Sequence, residues 1–352
     1  MNIMAIQLQN DPGKQHGLSL VEILIAITIS VVLLAGVEKV FVSSKQTYRV
    51  QDALSRVQEN ARFAADFLTR NIRMAGYSGC NNLSSPVNMV DLDKDGIADP
   101  FTEFTTDALM GLEYSDLPVA LTSSVSLTAA EVEPNTDVII LMNAAPNENV
   151  TLVGNLDVSN ANIQLNSAAV GLYQAKDVLI VSDCEDTDIF AATNVSASGS
   201  KVTIAHSNTV NTGNFLSKTY GQDAVVLKLD KIAYYIGTNA NGNPALFRKR
   251  LGNASAMITE ELVEGIEDMQ FQYGEDLNGD GVANRYVDAD TAGINMANIV
   301  SVRFGLLVET VEDNIASAPQ DYTFKGVTTT PADRRLRRAF YTVTKLRNRG
   351  II

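Results

Sequence analysis

Hydrophobic positions change their period along this chain, and each change marks a different kind of element. Leu18 to Val37, LSLVEILIAITISVVLLAGV, is twenty residues with a single charge, Glu22. As a helix rising about 1.5 Å per residue, it spans roughly 30 Å, the thickness of a bilayer's hydrocarbon core. It is longer than the apolar core of a secretory signal and runs into a poor cleavage site, so a retained membrane helix is predicted. Further on, apolar residues recur in steps of three and four at Val50, Leu54, Val57, Ala61, Ala64, Leu68, Ile72 and Ala75. That spacing is one face of an amphipathic helix, with Arg49, Asp52, Arg56, Glu59 and Arg62 on the other sides. Its alanines suit close docking on a sheet, and Gly76 is the expected stop.

After Gly76 the period becomes two. Strands are predicted at 137–142, 177–183, 201–205, 224–230, 231–237, 266–274, 299–310 and 339–347. In 299–310, Val300, Val302, Phe304, Leu306 and Val308 share one face while Ser301 and Arg303 point the other way, which predicts a half-buried antiparallel strand. Loops rich in Asn, Gly, Ser and Thr separate the strands. The fold class is therefore α+β: a long N-terminal helix packed on a large, mainly antiparallel β head.

Charge narrows the function classes. The formal net charge is −14 and the pI near 4.6, which argues against a general nucleic-acid binder, so nucleic acid is not an expected partner. No GxSxG elbow, phosphate loop, dinucleotide fingerprint or HExxH pair occurs, and an enzyme is not predicted. Of the two histidines, His16 precedes the apolar run and His206 alone cannot build a histidine metal site. Lys14 lies before the run and Lys39, Lys45 and Arg49 after it, so charge bias does not set the membrane orientation.

Two cysteines, Cys80 and Cys184, read in an exported chain as one disulfide closing a loop of roughly 100 residues, worth at most about 4–5 kcal/mol in the chain-entropy model. Two buried thiols are the alternative. Asp91, Asp93, Asp95, the Ile97 carbonyl and Asp99 follow the first nine positions of an EF-hand-like calcium loop, with Gly96 at the sharp turn. Position twelve is Thr102 where a glutamate belongs. Asp276, Asn278, Asp280, Val282 and Asn284 form a second, less charged candidate. The competing reading of both is a metal-free turn, which Asp, Asn and Gly also favour. No cofactor is required, and calcium is the one these loops suggest. Arg334, Arg335, Arg337, Arg338, Lys345, Arg347 and Arg349 make a basic zone that reads as a solvated strand or as a contact for acidic partners.

Gly17 followed by Leu-Ser-Leu-Val-Glu resembles the type IV prepilin signal. That resemblance implies cleavage by a prepilin peptidase between Gly17 and Leu18, N-methylation of Leu18, and a role for Glu22 in assembly register. Major pilins carry Phe after the cut where this chain has Leu18. AGYSGC (75–80), IAYYIGTNANGNPALFRKRL (232–251), MQFQYGEDLNGDGVANRY (269–286) and KLRNRG (345–350) together resemble the PilW-type minor pilins. The resemblance implies a leader over 1–17, a transmembrane and filament-core helix over 18–42, an amphipathic helix over 43–76 and a periplasmic or extracellular head over 77–352. It further implies a subunit of the inner membrane and then the pilus, whose partners are other minor pilins and the major pilin. A minor pseudopilin of a type II secretion system shares this plan, and a membrane-anchored adhesin or enzyme is the rival of another class.

Overall fold

The computed structural model describes residues 19–77, 79, 87–91, 108–117, 127–145, 150–154, 156–183, 185–252 and 257–348. Gly17, Leu18, Cys80, Cys184, Asp93, Asp95, Ile97 and Asp99 lie outside the described residues. One helix, α1 (Leu20–Met74), opens the chain without a break. Then come β1 (Val87–Asn88), β2 (Leu109–Leu112), β3 (Val138–Ala145), β4 (Asn162–Asn166), β5 (Val178–Ser182), β6 (Thr187–Ala191), β7 (Asn194–Ser198) and β8 (Lys201–Ala205). The later strands are β9 (Val225–Thr238), β10 (Pro244–Leu251), β11 (Met257–Glu264), β12 (Ile266–Glu275), β13 (Arg285–Val287), β14 (Ile299–Glu309), β15 (Tyr322–Phe324), β16 (Val327–Thr329) and β17 (Arg337–Lys345).

Two compact units meet inside α1, the first over 1–52 and the second over 53–352. In the first, α1 contains an apolar window of mean hydropathy 2.7 with none of it buried, long and apolar enough to cross a membrane. Its hydroxyls find partners within the helix: Thr28 Oγ1 donates to the Leu24 carbonyl at 2.7 Å and Ser30 Oγ to that of Ala26 at 2.7 Å. A polar side chain satisfied this way costs little in lipid.

In the second unit, an eight-stranded sheet runs β1-β6-β5-β9-β10-β11, with β3 paired to β9 and β2 to β3. A four-stranded antiparallel sheet runs β13-β12-β14-β17; β4-β8-β7 and the β15–β16 hairpin complete the β structure. Among the described strands only β1 and β6 pair in parallel. The architecture is α+β. Val57, Ala61, Ala64, Leu68 and Ile72 of α1 are buried in one core with Ile232 and Tyr234 of the large sheet and Phe271, Phe304 and Leu306 of the four-stranded one. These are the predicted stripe positions, and small alanines let helix and sheet approach. Gly265, between β11 and β12, lies in the left-handed region at φ +81°, and a Cβ there would stand 2.8 Å from the Glu309 carbonyl at the end of β14. Asn60 Nδ2 donates to the neighbouring Glu264 carbonyl at 2.9 Å.

Two expectations are corrected. Residues 224–230 and 231–237 are one strand, β9, because Asp230 and Lys231 stay in register across the supposed break: Asp230 opposite Asn143, Lys231 opposite Met142. β14 is not half-buried; only Arg303 is exposed. It lies between β12 and β17, Ser301 is covered by Tyr286 (Oη–Oγ 3.0 Å), and Tyr341 closes over Gly305.

Candidate functional site

The candidate site on the helix is its first turn. Ser19 is the N-cap: its Oγ accepts from the Glu22 amide at 3.2 Å, and Glu22 Oε2 accepts from the Ser19 amide at 3.0 Å. This reciprocal pair is a capping box, which satisfies two amides that a helix start leaves without partners. A carboxylate there also suits the positive end of the helix dipole. Glu22 is exposed, and a carboxylate accepts at several lone-pair positions. One oxygen therefore holds the cap while the group stays open to a cationic donor. The Ser-x-x-Glu spacing ahead of an apolar run is the signal by which sequence alone could have found Ser19.

The other end of α1 is closed by the end of the chain. The Arg347 amide donates to the Arg73 carbonyl at 3.0 Å, and Asn348 Nδ2 donates to the carbonyls of Met74 (3.1 Å) and Ala75 (3.2 Å). Gly76 follows at φ +79° and its amide donates to the Met142 carbonyl at 2.8 Å. Arg347 and Asn348 of the KLRNRG segment thus cap the helix in which the signal begins.

The basic zone is divided. Arg337 is 6% exposed and binds Glu267 (2.5 Å), Glu309 (2.8 Å) and Asp333 (2.7 Å). Arg335 Nη1 donates to Glu309 Oε1 at 3.0 Å and to the Val311 carbonyl at 2.7 Å. Burial, then the charge of Glu267, pushes the Glu309 carboxyl up to about 7. These arginines hold β14 and β17 to the preceding loop and are not a solvated patch; Arg334, Arg338 and Lys345 are exposed.

The metal candidates fare unequally. Asp91 is buried, and its four predicted co-ligands lie outside the described residues. Asp276 holds its own loop: Oδ1 accepts from the amides of Asn278 (3.1 Å) and Gly279 (2.7 Å), and Oδ2 from that of Gly281 (2.7 Å). Asp280 accepts from the Val282 amide at 2.8 Å, and Asn284 Oδ1 from that of Leu277 at 2.6 Å. No three acidic, histidine or cysteine side chains converge on a metal position among the described residues. His206 is buried against Phe190, with ring centroids 5.2 Å apart, and burial pushes its pKa down.

Another acidic pair escaped sequence reasoning. The charge of Glu113, after β2, acts on Asp137, before β3. Asp137 Oδ2 also accepts from the Phe271 amide of β12 at 2.7 Å. Burial, then the charge of Glu113, pushes the Asp137 carboxyl up to about 8, and its bond from the Phe271 amide ties the β2–β3 edge to β12.

Two family models match this chain. Residues 12–37 match the prokaryotic N-terminal methylation motif, and residues 233–348 match type IV pilus-assembly protein W. Comparison with curated proteins and with solved structures finds no match. The second region runs from β9 through β17 to Asn348, so it includes much of the sheet surface under α1 and the residues that cap the helix. The chain thus carries a prokaryotic N-terminal methylation motif at its start and a region matched by type IV pilus-assembly protein W in its last third.

Proposed function

We propose that this chain is a minor pilin that helps initiate type IV pilus assembly in a tip complex with other minor pilins. It enters the inner membrane with its head on the periplasmic side, is cut after Gly17 and is methylated on Leu18. The Glu22 carboxylate then receives the cationic N-terminus of a neighbouring subunit, of pKa about 8 when unmethylated, which sets the axial register of the helices. In lipid such a pair is favoured because an ionised side chain there is costly alone. The observation that carries this reading is the pairing of an exposed apolar helix bearing the methylation motif with a head matched by the assembly-protein family. Cys80 and Cys184 would be joined in the exported head.

Mass spectrometry of the protein extracted from membranes tests the first step. The expected N-terminus is methylated Leu18, changing to the uncut chain when the prepilin peptidase is deleted. An N-terminus still bearing His16 and Gly17 in cells with active peptidase would reject the proposal. Deleting the gene should reduce pilus number without affecting type II secretion; the reverse result would transfer the chain to the pseudopilins.

A further inference from the structure

Among the described residues β17 is an outer strand, paired through Arg337–Lys345 with β14 and with no strand on its other side. A free strand edge presents amides and carbonyls to which another extended chain can add. Beside this edge lies a groove of ≈ 360 Å³, walled by Gln58, Ala61, Arg62 and Ala65 of α1 and by Phe340–Thr342 of β17, with Phe304 and Leu306 at its base. It exists because two alanines stand where larger side chains would close it. Tyr341, which also lines the groove, is 58% exposed although its ring stacks on Phe324 at 5.8 Å and its hydroxyl accepts from the Lys325 amide at 3.0 Å, and Val343 on the same strand is 53% exposed.

Charge identifies the occupant. Arg62 lines the groove and Arg338 and Lys345 lie on the edge strand; all three are exposed, and among the described residues none is in an ion pair. The nearby Arg335 and Arg337 are fully engaged by Glu309, Glu267 and Asp333. Three unpaired cations beside an apolar slot are unusual in a chain of net charge −14. Edge cations can merely discourage strand pairing, but that role gives no reason for an open apolar groove alongside them.

We infer that β17 and this groove receive an extended acidic segment of another membrane-anchored subunit. The segment adds as a fifth strand, seats one apolar side chain between α1 and β17, and sets its carboxylates against Arg62, Arg338 and Lys345. This deepens the assembly reading by naming the surface through which one head engages the next.

The test places a photocrosslinking amino acid at Val343 of the full-length chain in cells, and mass spectrometry identifies the joined peptide. A peptide rich in Asp and Glu from one other membrane-anchored subunit is expected. Arg62→Glu with Arg338→Glu should lower its yield at least tenfold, and reversing the partner's acids to Lys should restore it. Ala65→Leu, which fills the groove without changing charge, should lower it several-fold and guards against a folding defect in the charge variant. Joining to a second copy of this chain, to lipid or to nothing overturns the inference, as does a yield insensitive to both variants. Leu18 processing is read in the same samples, so failure of the assembly reading is seen separately from failure of this surface.

Discussion

The two regions that carry family signatures use apolar side chains in opposite ways. In 20–42 they stay in solvent, from Leu20 at 74% to Phe41 at 68% exposed. In 233–348 most are enclosed, with Tyr234, Phe271, Tyr273 and Phe304 each at most 1% exposed. Burial of apolar area drives folding at about 25 cal/mol per Å² wherever it happens. The head obtains that gain from its own strands, and the helix can obtain it only from lipid or from other helices. One region therefore holds its own core, while the other is half of an interaction.

The largest break in this contrast is expected at Arg337. Arg337→Ala leaves the buried Glu309 and the partly exposed Glu267 without their common partner, and loss of one member of a buried ion cluster costs about 3–5 kcal/mol. Chemical denaturation in detergent should show that loss. The next test stays within α1. Leu68→Ala removes a side chain with 0% exposure and should cost about 2–5 kcal/mol. Leu34→Ala, at 67% exposure in the same helix, should leave head unfolding unchanged and lower only retention in the membrane. Equal effects on unfolding would erase the distinction between the regions.

A third test uses pH. Asp137 has a carboxyl pKa raised to about 8 against an ordinary 3.8, so the native state holds a proton that the unfolded chain releases. That contribution is fully present below 3.8 and is lost as pH rises to about 8. Its field comes from Glu113 and, in the opposite sense, Lys325. Glu113→Gln removes the like charge and retains an oxygen that can accept from the Ala289 amide. Relative to the parent it should gain on the order of 1 kcal/mol between pH 5 and pH 8, read from thermal unfolding at both. A pH-independent difference would mean that the charge of Glu113 does not act on Asp137.

What sequence could reveal divides along the same line. The membrane-length run, the stripe from Val57 to Ile72 and the stop at Gly76 are legible because helical determinants lie within a few residues of each other. Strands β10 and β11 escape a period-two reading because charges alternate along them. Arg248 and Arg250 meet Glu260 across the pair at 2.7 Å and 3.1 Å, a cancellation visible only once the strands are paired. Arg337 resembles a surface cation for the same reason, since Glu267 lies 70 residues away in sequence. The Glu113–Asp137 pair depends on β2 and β3 meeting β12, which no local pattern announces. Ser19 is the exception: its cap is local and could have been read.

That cap gives the finest test, because it separates two roles of Glu22. Ser19→Ala removes the hydroxyl that receives the Glu22 amide, and loss of such a cap costs about 0.5–2 kcal/mol, confined here to the first turn. Faster amide exchange over the first turn is the expected signature, with Leu18 processing and pilus incorporation nearly unchanged. Glu22→Gln keeps an oxygen able to accept from the Ser19 amide, so capping should largely survive while the negative charge is lost. If Glu22 receives a neighbour's amine, this variant is processed normally yet fails to enter pili, and the two substitutions diverge. If Glu22 serves only to start its own helix, Ser19→Ala should harm incorporation at least as much as Glu22→Gln. The charge then has no intermolecular task, and the exposed apolar helix must find its register by shape alone.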